Sequence, residues 1–136
     1  GALIQSVGSP YQGCAAAGSW AGLGSIFGIG CGENFDLSVD GANLWLSTLS
    51  VETRRQVQYY TTTYRQGRLF GDSCSLPMNA VLKWPNDGVT ELARASLPDA
   101  VNMGNKEAWC HTTEMNYPAQ YTDAARNEQM NELARR

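Results

Sequence analysis

Charge is scarce in this sequence, and its scarcity excludes several functions. Charged residues make up 17% of the 136 positions and the formal net charge is −3. Beyond Arg54-Arg55 and Arg135-Arg136 there is no concentration of cations. Neutralising a row of phosphates needs clustered Lys and Arg, so a nucleic-acid partner is not expected. No apolar run approaches the roughly 20 residues that cross a bilayer, so no transmembrane segment is expected either. Histidine is almost missing, with His111 standing alone. One imidazole and no C-x-x-C pair argue against a zinc site, and no metal or cofactor is expected.

The opening residues lack a methionine and a basic, apolar leader. Gly1 to Gly8 instead reads like the inside of a strand, as expected of a chain that starts within a longer protein. The four cysteines, Cys14, Cys31, Cys74 and Cys110, are even in number and widely spaced. That pattern favours disulfides, and with them a secreted or periplasmic protein. Of the three pairings, Cys14–Cys31 and Cys74–Cys110 are expected, since each ties a loop-rich insertion to something regular. Four buried, reduced thiols are the alternative.

At 43% hydrophobic residues the chain has material for a real core and reads as one domain over 1–136. Residues 2–7 are strand-like and Gly8-Ser9-Pro10 ends them in a turn. The segment 14–32 that follows shares in a run holding seven of the 14 glycines, interspersed with Trp20, Leu23, Ile26, Phe27 and Ile29. Glycine weakens regular structure while large apolar groups still need cover. A lid over an apolar cleft satisfies both demands; a Gly-rich loop packed on the core does so equally.

Leu37, Gly41, Leu44, Trp45, Thr48 and Leu49 follow helical spacing, which predicts an amphipathic helix over 38–49. Ser50 can cap a helical turn reaching Arg55. Val57 to Tyr64, dense in β-branched and aromatic residues, predicts a strand. Residues 65–80 read as an irregular insertion, Pro85-Asn86-Asp87-Gly88 as a turn, and Val89 to Ala95 as a short helix. A last strand is expected within 99–110. Asp123 is placed to cap a terminal helix whose apolar face is Ala124, Ala125, Met130, Leu133 and Ala134. Strands alternating with helices predict an α/β fold with parallel strands flanked by helices.

Two residues have the chemistry of a reaction centre. His111 ends an apolar stretch, Ala108-Trp109-Cys110, where a strand opens into a loop. Asp87 occupies a turn on the preceding strand end. Turns recruit Asp for backbone reasons and a lone histidine is often incidental. Their order and separation matter more than either alone. A carboxylate followed two dozen residues later by an imidazole allows the acid to orient the base and to stabilise the imidazolium.

Leu3-Ile4-Gln5-Ser6-Val7-Gly8-Ser9-Pro10-Tyr11-Gln12-Gly13 resembles the segment, a strand followed by G-[ST]-P-[HY]-x-G, of secreted bacterial lipases and esterases of the α/β-hydrolase superfamily. Asn86-Asp87-Gly88-Val89 is similar to their N-D-G-[LV] acid motif, and Cys110-His111-Thr112 falls where their histidine occurs. The resemblance implies the C-terminal half of an α/β-hydrolase fold, with 14–32 as a lid-like insertion. It implies hydrolysis of carboxylic esters, with a lipid or ester substrate and Asp87 and His111 as catalytic residues. Some of these lipases hold a structural calcium near the histidine loop, for which Glu114 or Asp123 could serve.

The nucleophile elbow of that family, G-x-S-x-G, is missing: no serine here has glycine two positions away on both sides. The resemblance therefore implies a partner, a nucleophile-bearing N-terminal polypeptide of the same enzyme, without which this chain should be inactive. The alternative is a non-catalytic secreted binding module on a degenerate hydrolase scaffold. Trp20, Trp45, Tyr59 and Tyr121 would then contact a glycan or a protein.

Overall fold

The computed structural model describes residues 3–15, 17, 35–64, 81–111 and 123–136. Strands β1 (Ile4–Val7), β2 (Val57–Thr63) and β3 (Val101–Glu107) form a parallel sheet in the order β1-β2-β3. Parallel neighbours cannot be joined by a tight turn, because the chain must return to the end from which it came. The return from β1 to β2 carries helices α1 (Val39–Thr48) and α2 (Val51–Arg55), and α3 (Ala124–Arg135) follows β3. The architecture is α/β, as the alternation of strand and helix signals predicts.

Position in the sheet explains the composition of each strand. β2 lies in the middle and is buried at all positions but Gln58, which suits its β-branched and aromatic run. β3 is flanked only on the β2 side among the described residues and is largely exposed, carrying Asn102, Asn105, Lys106 and Glu107. Polar residues and irregularity on such a strand discourage further pairing. The register shifts by one between Tyr59↔Asn102 and Thr61↔Asn105. The extra residue falls at Met103-Gly104, where Gly104 takes φ +102°, a bulge that glycine accommodates without strain.

Because partners in register share a face, the pairing sorts side chains to two sides of the sheet. Ile4, Ser6, Val57 and Tyr59 lie on one side. There Val57, Tyr59 and Leu97 form a buried cluster with Tyr11, Leu46 and Ala100 packed on it. Gln5, Val7, Gln58, Tyr60 and Thr62 lie on the other. A second cluster joins Cys14 to Leu82, with Val81 and Val89 against it. Burying an aliphatic side chain such as Leu97 contributes roughly 2 kcal/mol.

The helix over 38–49 forms, but its buried side is not the predicted stripe. Leu44 and Trp45 are 62% and 44% exposed, while Gly41 and Ala42 are buried and Leu46 reaches the core. The helix approaches by its backbone: a Cβ on Gly41 would lie 1.9 Å from the Phe35 carbonyl oxygen. Small residues, rather than the largest apolar ones, therefore mark the contact face. Ser38 caps α1 by accepting from the Gly41 N–H, and Ser50 caps α2 by accepting from Thr53.

Asp123 caps α3, its side chain accepting from the Arg126 N–H at 2.9 Å. The expected alanine face is not buried. Ala124, Ala125 and Ala134 are exposed, Met130 and Leu133 are half-buried, and Arg126 is the buried residue. Its guanidinium stacks 4.1 Å over the Tyr60 ring and 5.4 Å from Trp109, so a cation over aromatic faces does the work assigned to alanines. Gln5 adds a bond from Nε2 to the Met130 carbonyl.

Residues 89–95 hold a 3-10 turn over Leu92–Arg94 rather than an α-helix. The Asn86↔Glu91 bridge and the bonds of the preceding turn occupy the backbone that a longer helix would need. The expected Cys14–Cys31 disulfide is not formed. Cys14 keeps its thiol, buried and donating to the Val89 carbonyl at 3.1 Å. Cys110 is disulfide-bonded, and its partner lies outside the described residues. Most of the lid-like segment 14–32, all of the insertion 65–80, Glu114 and Cys74 also lie outside them.

Candidate functional site

The site is built where the ends of β1 and β2 meet two turns. At the end of β1, Gly8 donates its N–H to the Tyr60 carbonyl, continuing the ladder for one residue before the chain turns. Beyond β2, the Tyr64 N–H bonds the Asn86 carbonyl and so attaches the turn at 86–91 to the strand. Beyond β3, the Trp109 N–H bonds the Thr63 carbonyl, and the His111 N–H bonds the carbonyl of Asp87. Backbone bonds thus bring together residues 87 and 111 before any side chain is considered.

Asn-Asp-Gly chemistry shapes the turn. The Asn86 side chain accepts from the Gly88 N–H, and Gly88 takes φ +95°. Asp87 Oδ1 accepts from the N–H groups of Val89 and Thr90 at 3.1 and 2.7 Å. Asp87 Oδ2 accepts the Thr62 hydroxyl at 2.6 Å and lies 3.0 Å from His111 Nδ1. The carboxylate is fully buried, yet both oxygens have two donors each. A buried charge is tolerated on these terms, since its lost hydration is replaced by fixed donors.

Gly8 is required here on two counts. Its φ is +64°, and a Cβ would lie 2.8 Å from Thr62 Oγ1 and 3.1 Å from Asp87 Oδ2. Its carbonyl also accepts the Thr90 hydroxyl at 3.0 Å, linking the β1 turn to the acid turn. Thr90 itself is buried.

The imidazole of His111 is one-third exposed, at 33% of its side-chain surface. A carboxylate accepts hydrogen bonds and does not donate, so the proton of neutral His111 belongs on Nδ1 and Nε2 carries the lone pair. Burial opposes the charged imidazolium and is the largest single influence on its titration. The hydrogen bond and the charge of Asp87, with a smaller contribution from Cys14, together outweigh that opposition, and His111 titrates above the ordinary histidine value of 6.5. The result is an oriented base whose conjugate acid is stabilised. A small cleft lined by Val7, Gly8, Thr62, Trp109, Cys110 and His111 leads to it.

A larger, mainly apolar groove of about 350 Å³ begins one residue further on, lined by Ser9, Pro10, Tyr11, Leu37, Ala42 and Trp45 among others. Tyr11 and Trp45 stack there at 6.2 Å. It contains neither Asp87 nor His111. Of the aromatic residues suggested for a binding role, Trp45 is exposed and Tyr59 is buried at 6%, which removes Tyr59 from any contact surface. Trp20 and Tyr121 lie outside the described residues. Asp123, suggested for calcium, caps α3 and pairs with Lys106 at 3.1 Å. No cluster of three or more metal-ligating side chains occurs among the described residues.

Order and spacing along the chain point to Asp87 and His111, and neither signal singles out Thr62 or Thr90. Thr62 sits in a Thr61-Thr62-Thr63 run whose composition signals only a strand. Alternation along β2 was the available signal, because it puts Thr62 on the same side as Tyr60 and opposite Thr61 and Thr63.

The family model of the conditioned medium factor C-terminal domain matches residues 1–134. The chain is 47% identical over 130 residues to "Conditioned medium factor" of Dictyostelium discoideum, covering 96% of this chain and 18% of that protein. Among solved structures it is similar to the mature form of the Bacillus licheniformis lipase BlEst2, with TM-score 0.58 and 20% identity, over 97% of this chain and 54% of the lipase. The chain therefore spans about a fifth of its curated relative and about half of the lipase. At that identity the likeness to the lipase is one of fold. The motifs read as lipase-like thus identify the scaffold, while the family matched carries another name.

Proposed function

The chain belongs to the conditioned medium factor C-terminal domain family, and from that premise we propose that it is the acid–histidine part of a serine hydrolase acting on carboxylic esters. The carrying observation is the bond between His111 Nδ1 and the fully buried, four-fold bonded Asp87 carboxylate. A pair needed only for packing would not require a buried charge, an oriented imidazole and a side chain one-third exposed at once.

In this reading a serine from the remaining polypeptide attacks the ester carbonyl while His111 Nε2 takes its proton. Asp87 stabilises the imidazolium. The tetrahedral intermediate collapses to an acyl-enzyme as His111 passes the proton to the departing alkoxide. Water, deprotonated by the same nitrogen, then releases the acid and restores the serine. The partner polypeptide, the lipid or ester substrate and the secreted or periplasmic location all belong to this proposal. The relative's name refers to conditioned medium, which agrees with secretion, and no helix among the described residues is long and apolar enough to cross a membrane.

The comparisons favour a second reading, a secreted binding module that retains a hydrolase scaffold without catalysis. Its support is the family itself, which is named for a factor and not for an enzyme. Hydrolysis of p-nitrophenyl esters of increasing acyl length by the full-length protein separates the two. Turnover that disappears in His111→Ala supports the enzyme. Absence of turnover in the wild type leaves the binding module, and turnover that survives in His111→Ala removes His111 from the catalysis.

A further inference from the structure

We propose that Thr62 is a positioning residue for His111, acting through Asp87. This rests on the reading of Asp87 and His111 as acid and base.

The shape of the strand does not call for a hydroxyl at position 62, since valine would serve the β-structure equally well. The neighbouring hydroxyls are committed elsewhere: Thr61 donates to Asn105 Oδ1 at 2.9 Å, and Asn105 Nδ2 donates to Thr63 Oγ1 at 2.9 Å. Only Thr62 turns to the acid, and it does so at 2.6 Å in a buried setting. It shares Oδ2 with His111, so one lone pair of that oxygen receives the hydroxyl and the other faces Nδ1. With Oδ1 already held by the N–H groups of Val89 and Thr90, the carboxylate is fixed in plane and in direction. Gly8 keeps the space open, as any Cβ there would meet Thr62 Oγ1 first.

The hydroxyl also spreads the charge of the carboxylate. Without it, the buried Oδ2 has a single donor, and Asp87 attracts the Nδ1 proton more strongly. The imidazolium is then favoured and the base is available only at higher pH. Asp87 and Cys14 are the titratable groups that act on His111 among the described residues, and a change at Thr62 replaces neither.

The test uses the full-length protein carrying Thr62→Val or Thr62→Ser. Two readouts are taken: the pH dependence of kcat/KM, and the titration of His111 followed by NMR with His111→Gln as the assignment control. Thr62→Val should raise the acid limb and the NMR titration together by about half to one pH unit, lowering kcat/KM near neutrality by about 3- to 10-fold. Thr62→Ser should restore both. A titration that stays in place or moves down overturns the proposal, because a packing role survives the isosteric valine. If valine prevents folding, Thr62→Ala with a native near-UV spectrum takes its place. A shifted titration in a protein with no esterase activity overturns the esterase reading and leaves the Thr62 assignment standing. Turnover with an unmoved titration does the reverse.

Discussion

His111 Nδ1 lies 3.0 Å from Asp87 Oδ2, while the His111 backbone N–H bonds the Asp87 carbonyl at 2.9 Å. The same two residues are tied twice, once through the main chain and once through the side chains. The backbone bond fixes the approach and leaves the imidazole little freedom except rotation. The carboxylate then decides which nitrogen is presented to the cleft. That double tie separates an oriented base from an incidental surface histidine.

Removing either partner of this pair should be costly for turnover and cheap for folding in the case of histidine. His111→Ala in the full-length protein is expected to lower kcat/KM for esters by at least about 10³-fold. Since the imidazole is one-third exposed, the thermal midpoint should change little. Asp87→Asn should lose activity on a similar scale, because an amide can present its NH₂ to Nδ1 and so favour the wrong tautomer. It should also destabilise, since a fully buried group with four donors is disturbed. Steady-state kinetics and urea denaturation measure the two effects separately.

The pH dependence has a definite sign. Asp87 raises the titration of His111 above the ordinary value despite the opposing effect of burial. A general base must be neutral, so kcat/KM should climb with pH along a limb lying above 6.5, and that limb should fall back in Asp87→Asn. For stability the direction is opposite. A raised folded-state pKa contributes stability that is fully present below the unfolded value of about 6.5 and is lost as pH rises through the folded value. The urea midpoint of the wild type, compared with His111→Gln, should show the larger advantage at pH 5.5 and a smaller one at pH 8.5.

How much of this was legible from the sequence depends on what kind of signal each residue gives. The strand at Val57–Thr63, the caps at Ser50 and Asp123, and the pairing of Asp87 with His111 are stated by residue type and order. The orientation of α1 was not, because periodicity weighs Leu44 and Trp45 above Gly41. Close approach of a backbone is decided by the smallest residue on the helix. Arg126 was hidden for the converse reason: a cation is read as solvated until the two rings it stacks against are known. The Cys14–Cys31 pairing failed because spacing says nothing of where a sulfur points, and Cys14 points at Val89.

Gly8→Ala offers a stringent check on the packing around the acid. The positive φ and the approach of a Cβ to Thr62 Oγ1 act in the same direction. Together they should cost about 1–3 kcal/mol of stability by urea denaturation. Crowding should also displace Asp87, so the His111 titration should move toward the ordinary histidine value. An unchanged midpoint with an unchanged titration would mean that the turn at Gly8 is looser than the geometry indicates.

Arg126 holds α3 to the sheet through Tyr60 and Trp109. Burial lowers its pKa, with Tyr60 and Asp123 partly compensating. Arg126→Ala removes both the stacking and the packing of the alkyl stem, and should destabilise by about 1–2 kcal/mol. Because Trp109 lines the cleft beside His111, the quenching of tryptophan fluorescence by acrylamide should increase in the same variant. Loss of stability without increased quenching would confine the effect to the helix.

The most direct measurement is labelling of the full-length protein by a fluorophosphonate probe, read by peptide mass spectrometry in the wild type and in His111→Ala. The expected result is phosphonylation of a single serine outside this chain in the wild type, with labelling lost or slowed at least about 10³-fold in His111→Ala. No labelled serine in a folded wild type, or equal labelling in both proteins, would contradict catalysis through His111 and leave its pair with Asp87 a structural one.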